Sequence, residues 1–288
     1  MLASKQKWHR YEACKAVACE CLESTVEQKS ILLEIVDFPF SKSTKQSVLI
    51  DLAFCYESLD EPDQAKKLAK EIVEIDRHSN AGLQARTTLI ELEHDDPKRT
   101  EKLIKMEKLC RNQGANVAAN NIALTRARET EGNPDEVRRI LSPVVKASRD
   151  NTDYYNRTRA TLKLAELSLN AGEKLSESDL VYLINAYHFL FNERLPSLFD
   201  RCHDSLWTTF ERAADIQNLL TLFRHSSLYW RLRGRDSKEM VYLKHLSALV
   251  ENSIADKRLS SLSREAAYYR VRASGQSLPP SSQKTIAP

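Results

Sequence analysis

The 288-residue chain sets 43 Lys and Arg against 40 Asp and Glu, a formal charge of +3, so no global field draws it to nucleic acid or an anionic membrane. Apolar residues make up 42% and charged residues 29%, with only 6 Gly and 9 Pro, which is helix-forming material with little for tight β-turns and excludes an all-β fold. No apolar run approaches the roughly 18 residues of a membrane span, and the opening MLASKQKWHRYEACK lacks the apolar centre of a signal peptide. An intracellular, cytoplasmic protein is expected, with the nucleus left open.

Residues 1–40 are expected to form N-terminal helices that cap the helical stack beginning near residue 41, with Trp8, Tyr11, Val17 and Leu22 on an apolar face. Cys14, Cys19 and Cys21 fall here, and a metal reading would need a fourth ligand such as His9. On a helix Cys14 and Cys21 share a face while Cys19 points elsewhere, so the expectation is packing thiols and no metal site. Cys55, Cys110 and Cys202 also lie in helical apolar patterns, so no disulfide framework is expected.

Over 41–175 a unit recurs: an apolar helix, an acidic or Gly-containing turn ending in Pro, then a second apolar helix. It reads LDEPDQAKKL at 59–68, HDDPKRTEKL at 94–103 and EGNPDEVRRI at 131–140. Pro62, Pro97 and Pro134 stand 35 and 37 residues apart, close to a helical-repeat period of roughly 34. Each is expected at the start of a second helix, where a missing N–H costs nothing. Before Pro62, Leu49, Leu52, Ala53, Tyr56 and Leu59 recur at helical spacing, and Ala65, Leu68, Ala69, Ile72 and Val73 come after it. The 46–79 segment resembles one unit of the tetratricopeptide repeat family, with Leu52, Ala53, Tyr56 and Ala65 at the packing positions. The 118–150 unit is similar through Leu124, Gly132, Pro134, Ile140 and Val144 but has Thr125 and Arg128 where the first has Ala53 and Tyr56. The 81–115 unit is weaker, with Thr100 in place of the small alanine. The resemblance implies an all-α fold, a right-handed α-solenoid of antiparallel helix pairs.

Residues 176–273 read as divergent helical repeats. A helix ends at Gly172, Ser176 or Ser178 caps the next, helices cover 198–224 and 226–252 around a turn at Gly234, and a last helix lies near 261–273. Residues 274–288, rich in Pro and Ser, are expected to be a disordered tail.

No phosphate-cradling glycine loop, H-E-x-x-H or paired C-x-x-C motif is present. Cys202 and His203 are adjacent, and adjacent side chains on a helix diverge, so they make no nucleophile and base. Asp95 and Asp96 fit a turn. A non-enzyme without cofactors is therefore expected. In tetratricopeptide proteins ligands lie on the concave face lined by first helices. Transferred to this chain, that face would expose Ile50, Phe54 and Glu57, then Ile122, Arg126 and Glu129, then Arg159 and Lys163. Arg126, Arg159 and Lys163 would form a positive strip beside Phe54 and Ile122, suited to a peptide with acidic and apolar anchors. The leading expectation is a scaffold, adaptor or sensor subunit that holds a protein or peptide, within a larger assembly and away from membranes. The alternative is nucleic-acid binding through Arg224, Tyr229, Arg231, Arg233, Arg235 and Lys238, with Trp230 interleaved.

Overall fold

A computed structural model describes residues 24–146, 153–193, 195–255 and 263–274. All thirteen elements among them are helices: α1 (Thr25–Ile35), α2 (Lys42–Ser58), α3 (Pro62–Ile75), α4 (Asn80–Glu91), α5 (Arg99–Asn112), α6 (Asn116–Glu129), α7 (Pro134–Lys146), α8 (Tyr154–Asn170), α9 (Glu177–Asn192), α10 (Pro196–Arg212), α11 (Ile216–Leu232), α12 (Asp236–Ala255) and α13 (Ser263–Ala273). Taken in pairs from α2, the first helices begin at residues 42, 80, 116, 154, 196 and 236, a helical repeat of 36 to 42 residues. The expected N-terminal cap up to residue 23, with Cys14, Cys19 and Cys21, and the tail from 275 lie outside the described residues.

Local chemistry sets the boundaries. Ser41 Oγ accepts from the Thr44 N–H at 3.2 Å, Ser79 from Gly82 at 3.0 Å, Ser176 from Asp179 at 3.2 Å, and the Asp215 carboxylate from Asn218 at 3.1 Å, each satisfying an amide that its helix start leaves open. Pro62 and Pro134 open α3 and α7 as expected, but Pro97 stands in a turn before α5. There Asp96 accepts from the Lys98 N–H at 2.8 Å and delays the helix to Arg99. The continuous helix expected over 198–224 is broken instead at Ala213–Asp215, where Ala214 takes φ 53°, a left-handed conformation that glycine usually fills.

The chain divides into two compact units, 1–164 and 165–288. In the first, helices pack on their chain neighbours from α1 to α7, and the alternate pairs α2–α4 and α4–α6 also touch. Its core is a row of clusters: Leu32, Val48, Leu52 and Cys55, then Leu49, Ile50, Ala69, Ile72 and Ala85, then Leu83, Leu103, Met106, Cys110, Ala119 and Ile122. Leu52, Ala53 and Ala65 are buried, and Tyr56 packs half-buried against the first cluster. Gln46 ties α2 to the α3–α4 turn, donating from Nε2 to the Ile72 and Asp76 carbonyls, both at 3.0 Å, and accepting from Ser79 Oγ at 3.0 Å. Gly82 sits so close to that turn that a Cβ would lie 2.0 Å from the Asp76 carbonyl oxygen.

The second unit is held by aromatic packing. Phe199 and Tyr229 stack at 3.6 Å and Trp230 and Tyr242 at 5.3 Å. His203 is fully buried, edge-on to Trp230 at 4.8 Å and to Tyr242 at 4.4 Å, with Nδ1 3.3 Å from Asp204 and Nε2 unpartnered among the described residues. Burial holds its pKa below the ordinary 6.5 despite the Asp204 carboxylate. The neighbouring Cys202 thiol turns away to the Leu183 carbonyl at 3.5 Å, and burial pushes its pKa far up.

Two measurements check these contacts. Helix propensity alone would let Gly82→Ala stabilise α4, whereas the contact with Asp76 makes it cost about 1–3 kcal/mol in urea unfolding; unchanged or raised stability contradicts the close approach. Because the unfolded chain takes up a proton on His203 near pH 6.5 and the folded chain resists it, stability is lost as pH falls below about 6.5. His203→Phe is expected to flatten that part of the profile, and an unaltered slope contradicts the assignment.

Candidate functional site

Within the first unit, one face of each alternate helix lines a common groove, whose floor is buried at Thr87, Thr88, Thr125 and Asn156 and whose rim is open at Phe54, Val117 and Tyr155. Its cavity of about 790 Å³ is walled by α1, α2, α4, α6 and the start of α8. From α2 come Asp51, Phe54 and Glu57; from α4, Gln84, Thr87, Thr88 and Glu91; from α6, Val117, Asn121, Thr125 and Arg128; from α8, Tyr155, Asn156 and Arg159. A second cavity of about 470 Å³ shares Glu57, Glu91, Thr125 and Arg128 and adds Asp60, His94, Arg99 and Glu129.

The apolar contribution is concentrated in three side chains. Phe54 is 41% exposed and Val117 and Tyr155 are each 43% exposed, high for large apolar groups facing a concave wall. Polar groups fix the wall between them. Thr125 Oγ1 donates to Glu91 and accepts from Arg128 Nη2 at 3.1 Å. Asp153 caps α8 through the Asn156 N–H at 3.2 Å and accepts from Asn120 Nδ2 at 3.1 Å, joining α8 to α6. The Arg159 guanidinium lies 5.4 Å from the Tyr155 ring centre.

Of the residues expected on this surface, Phe54, Glu57 and Arg159 line the larger cavity, and Glu129 lines the smaller, 3.1 Å from Arg99. Four others line neither cavity. Ile50 packs with Leu49, Ala69, Ile72 and Ala85, and Ile122 is buried with Leu83, Leu103 and Met106. Arg126 turns to Glu107 on α5, and Lys163 pairs with Glu131. The anticipated positive strip does not assemble. On α6 the groove face runs through Val117, Asn121, Thr125 and Arg128, one residue out of phase with Ile122 and Arg126; a single position on a helix rotates the side chain by about 100°.

The basic cluster of the second unit is committed internally. Arg231 pairs with buried Glu239 at 2.8 Å, and Ser227 and Arg272 also donate to that carboxylate, so its pKa falls to about 2 despite burial. Arg235 binds Asp200 at 2.8 Å, and Lys238 lies 3.8 Å from Asp200 and 3.7 Å from Asp204. Arg233 donates to the Glu193 carbonyl at 3.1 Å and covers the Tyr229 ring at 4.1 Å. Tyr229 and Trp230, expected as base-stacking groups, are buried, while Arg224 is exposed on α11. Among the described residues no group of three or more His, Cys, Asp or Glu could hold a metal ion, and no helix is long and apolar enough to cross a membrane. No family model matches the chain, and no curated protein matches it closely enough to count as a relative.

Glu57 carries an electrostatic cost. Although Glu57 is exposed, partial desolvation of its carboxyl in the groove, then the Glu91 carboxylate, raise its pKa above the ordinary 4.5, and Arg128 and His94 only partly oppose them. A carboxyl raised in the folded state favours folding at low pH, and that contribution is lost as pH rises through its folded pKa. Glu57→Gln is therefore expected to raise the melting temperature by about 1–2 °C at neutral pH, a gain that shrinks toward pH 4.5. A lower melting temperature at neutral pH contradicts this reading of the groove.

Proposed function

We propose that the chain is a non-catalytic adaptor, scaffold or sensor subunit of the cytoplasm, built as a right-handed tetratricopeptide-like solenoid, that holds a peptide or protein segment in the groove of its first unit. The observation that carries this reading is the exposure of Phe54, Val117 and Tyr155 from three alternate helices onto one concave wall. Exposed apolar anchors set in a polar rim are the usual composition of a protein-binding surface. The repeat of 36 to 42 residues and the buried Leu52, Ala53 and Ala65 support the family assignment. Nucleic-acid binding is less well supported, because Arg231, Arg233, Arg235 and Lys238 already have partners within the fold.

Affinity capture with the full chain, set beside a Phe54→Ala, Tyr155→Ala double variant of equal helicity, tests the reading. Partners held by the native chain are expected to fall about tenfold or more with the variant. Equal recovery by both chains would move the binding surface elsewhere and overturn the assignment.

A further inference from the structure

The groove has two chemically different edges. Val117 and Tyr155 lie in the first turns of α6 and α8, whereas Glu57 and Glu91 lie in the last turns of α2 and α4. Phe54 stands one turn before Glu57 and borders both regions. A helix C-terminus carries the negative end of its macrodipole, where a cation is favoured and a carboxylate is not. Neither α2 nor α4 places a basic residue in its last turn. At this edge Glu57, Asp60, Glu91 and Glu129 face Arg99, Arg128 and His94, with Glu129 paired to Arg99 at 3.1 Å. Lys29, the nearby cation on α1, is bound to Glu61 at 2.6 Å and lies over the Tyr56 ring. Negative charge at the C-terminal edge thus exceeds the guanidinium groups that face it.

We infer that the groove selects a polypeptide segment in which Lys or Arg adjoins apolar side chains, the cation lying between Glu57 and Glu91 and the apolar groups against Phe54, Val117 and Tyr155. This is opposite in sign to the acidic partner that a strip of Arg126, Arg159 and Lys163 would favour. It rests on the groove being a binding site at all.

Selection of random twelve-residue peptides displayed on phage against the immobilised full chain separates the two readings. Enrichment of Lys or Arg beside Leu, Ile, Phe or Trp, competed by the same peptides in free form, is the expected result. Enrichment of Asp or Glu would overturn the inference while leaving a peptide-binding groove. No peptide surviving competition would overturn both. Synthetic copies of an enriched peptide with fluorescein labels then give affinities by anisotropy. Glu57→Gln and Glu91→Gln are each expected to weaken binding about threefold to tenfold, and rising salt to weaken it in the native chain. Replacing the peptide's Lys or Arg by Gln should cost as much in the native chain and little in Glu57→Gln. Losses that simply add would remove the contact between them. The native-chain salt series and the peptide substitution decide the matter even if a protein variant folds poorly.

Discussion

The first helices α2, α4 and α6 are each packed on several sides at once. α4 touches α3 and α5, its neighbours in the chain, and also α2 and α6, the first helices on either side. Leu83 and Ala85 face different clusters of the core, so the apolar surface of α4 is used in two directions. What remains is a narrow polar strip of Gln84, Thr87, Thr88 and Glu91, and the groove is the sum of such strips. The close approach that permits this geometry depends on small residues, on Ala53, Ala65, Ala85 and Gly82 above all. A groove made in this way is set by backbone packing, while its chemistry is open to change without disturbing the core.

That separation explains what is legible in the sequence. The helices, the Ser176 cap, the turns at Pro62 and Pro134 and the packing roles of Leu52, Ala53 and Ala65 come from local chemistry and periodicity. The Ala213–Asp215 turn is hidden because neither glycine nor proline marks it, and Ala214 supplies the left-handed residue. Phe54, Glu57 and Arg159 are legible because their helices can be phased correctly. Ile122 is misplaced because phase carried over from turn positions is one residue out on α6, whereas Ile50 shares the face of Phe54 and Glu57 on α2 but lies nearer the helix start, where Ala69, Ile72 and Ala85 cover it. Polar residues interrupting apolar helices, such as Thr87, Thr88 and Thr125, are the available signal for the true face. The ion pairs that absorb Arg231, Arg235 and Lys238 run between different helices or a turn and a helix, and a single-helix pattern does not report them.

The charge of the groove has its origin in the same geometry. Parallel first helices bring their C-terminal ends to one edge, so the carboxylates of Glu57 and Glu91 add to the helix dipoles there. Thr125 and Arg128 on α6 moderate the repulsion without removing it. The edge therefore trades some folding stability for a potential that an incoming cation would satisfy.

The central claim, that the groove between alternate helices holds a basic and apolar segment, is tested most directly by photocrosslinking. Benzoylphenylalanine at position 54 of the full chain faces the groove, and the same group at position 241 is exposed on α12 of the second unit. Irradiation with the enriched basic peptide should yield adducts from position 54, suppressed by excess unlabelled peptide, and none from position 241. Adducts from position 241 alone, or adducts at 54 that an acidic peptide competes for equally well, would contradict the account.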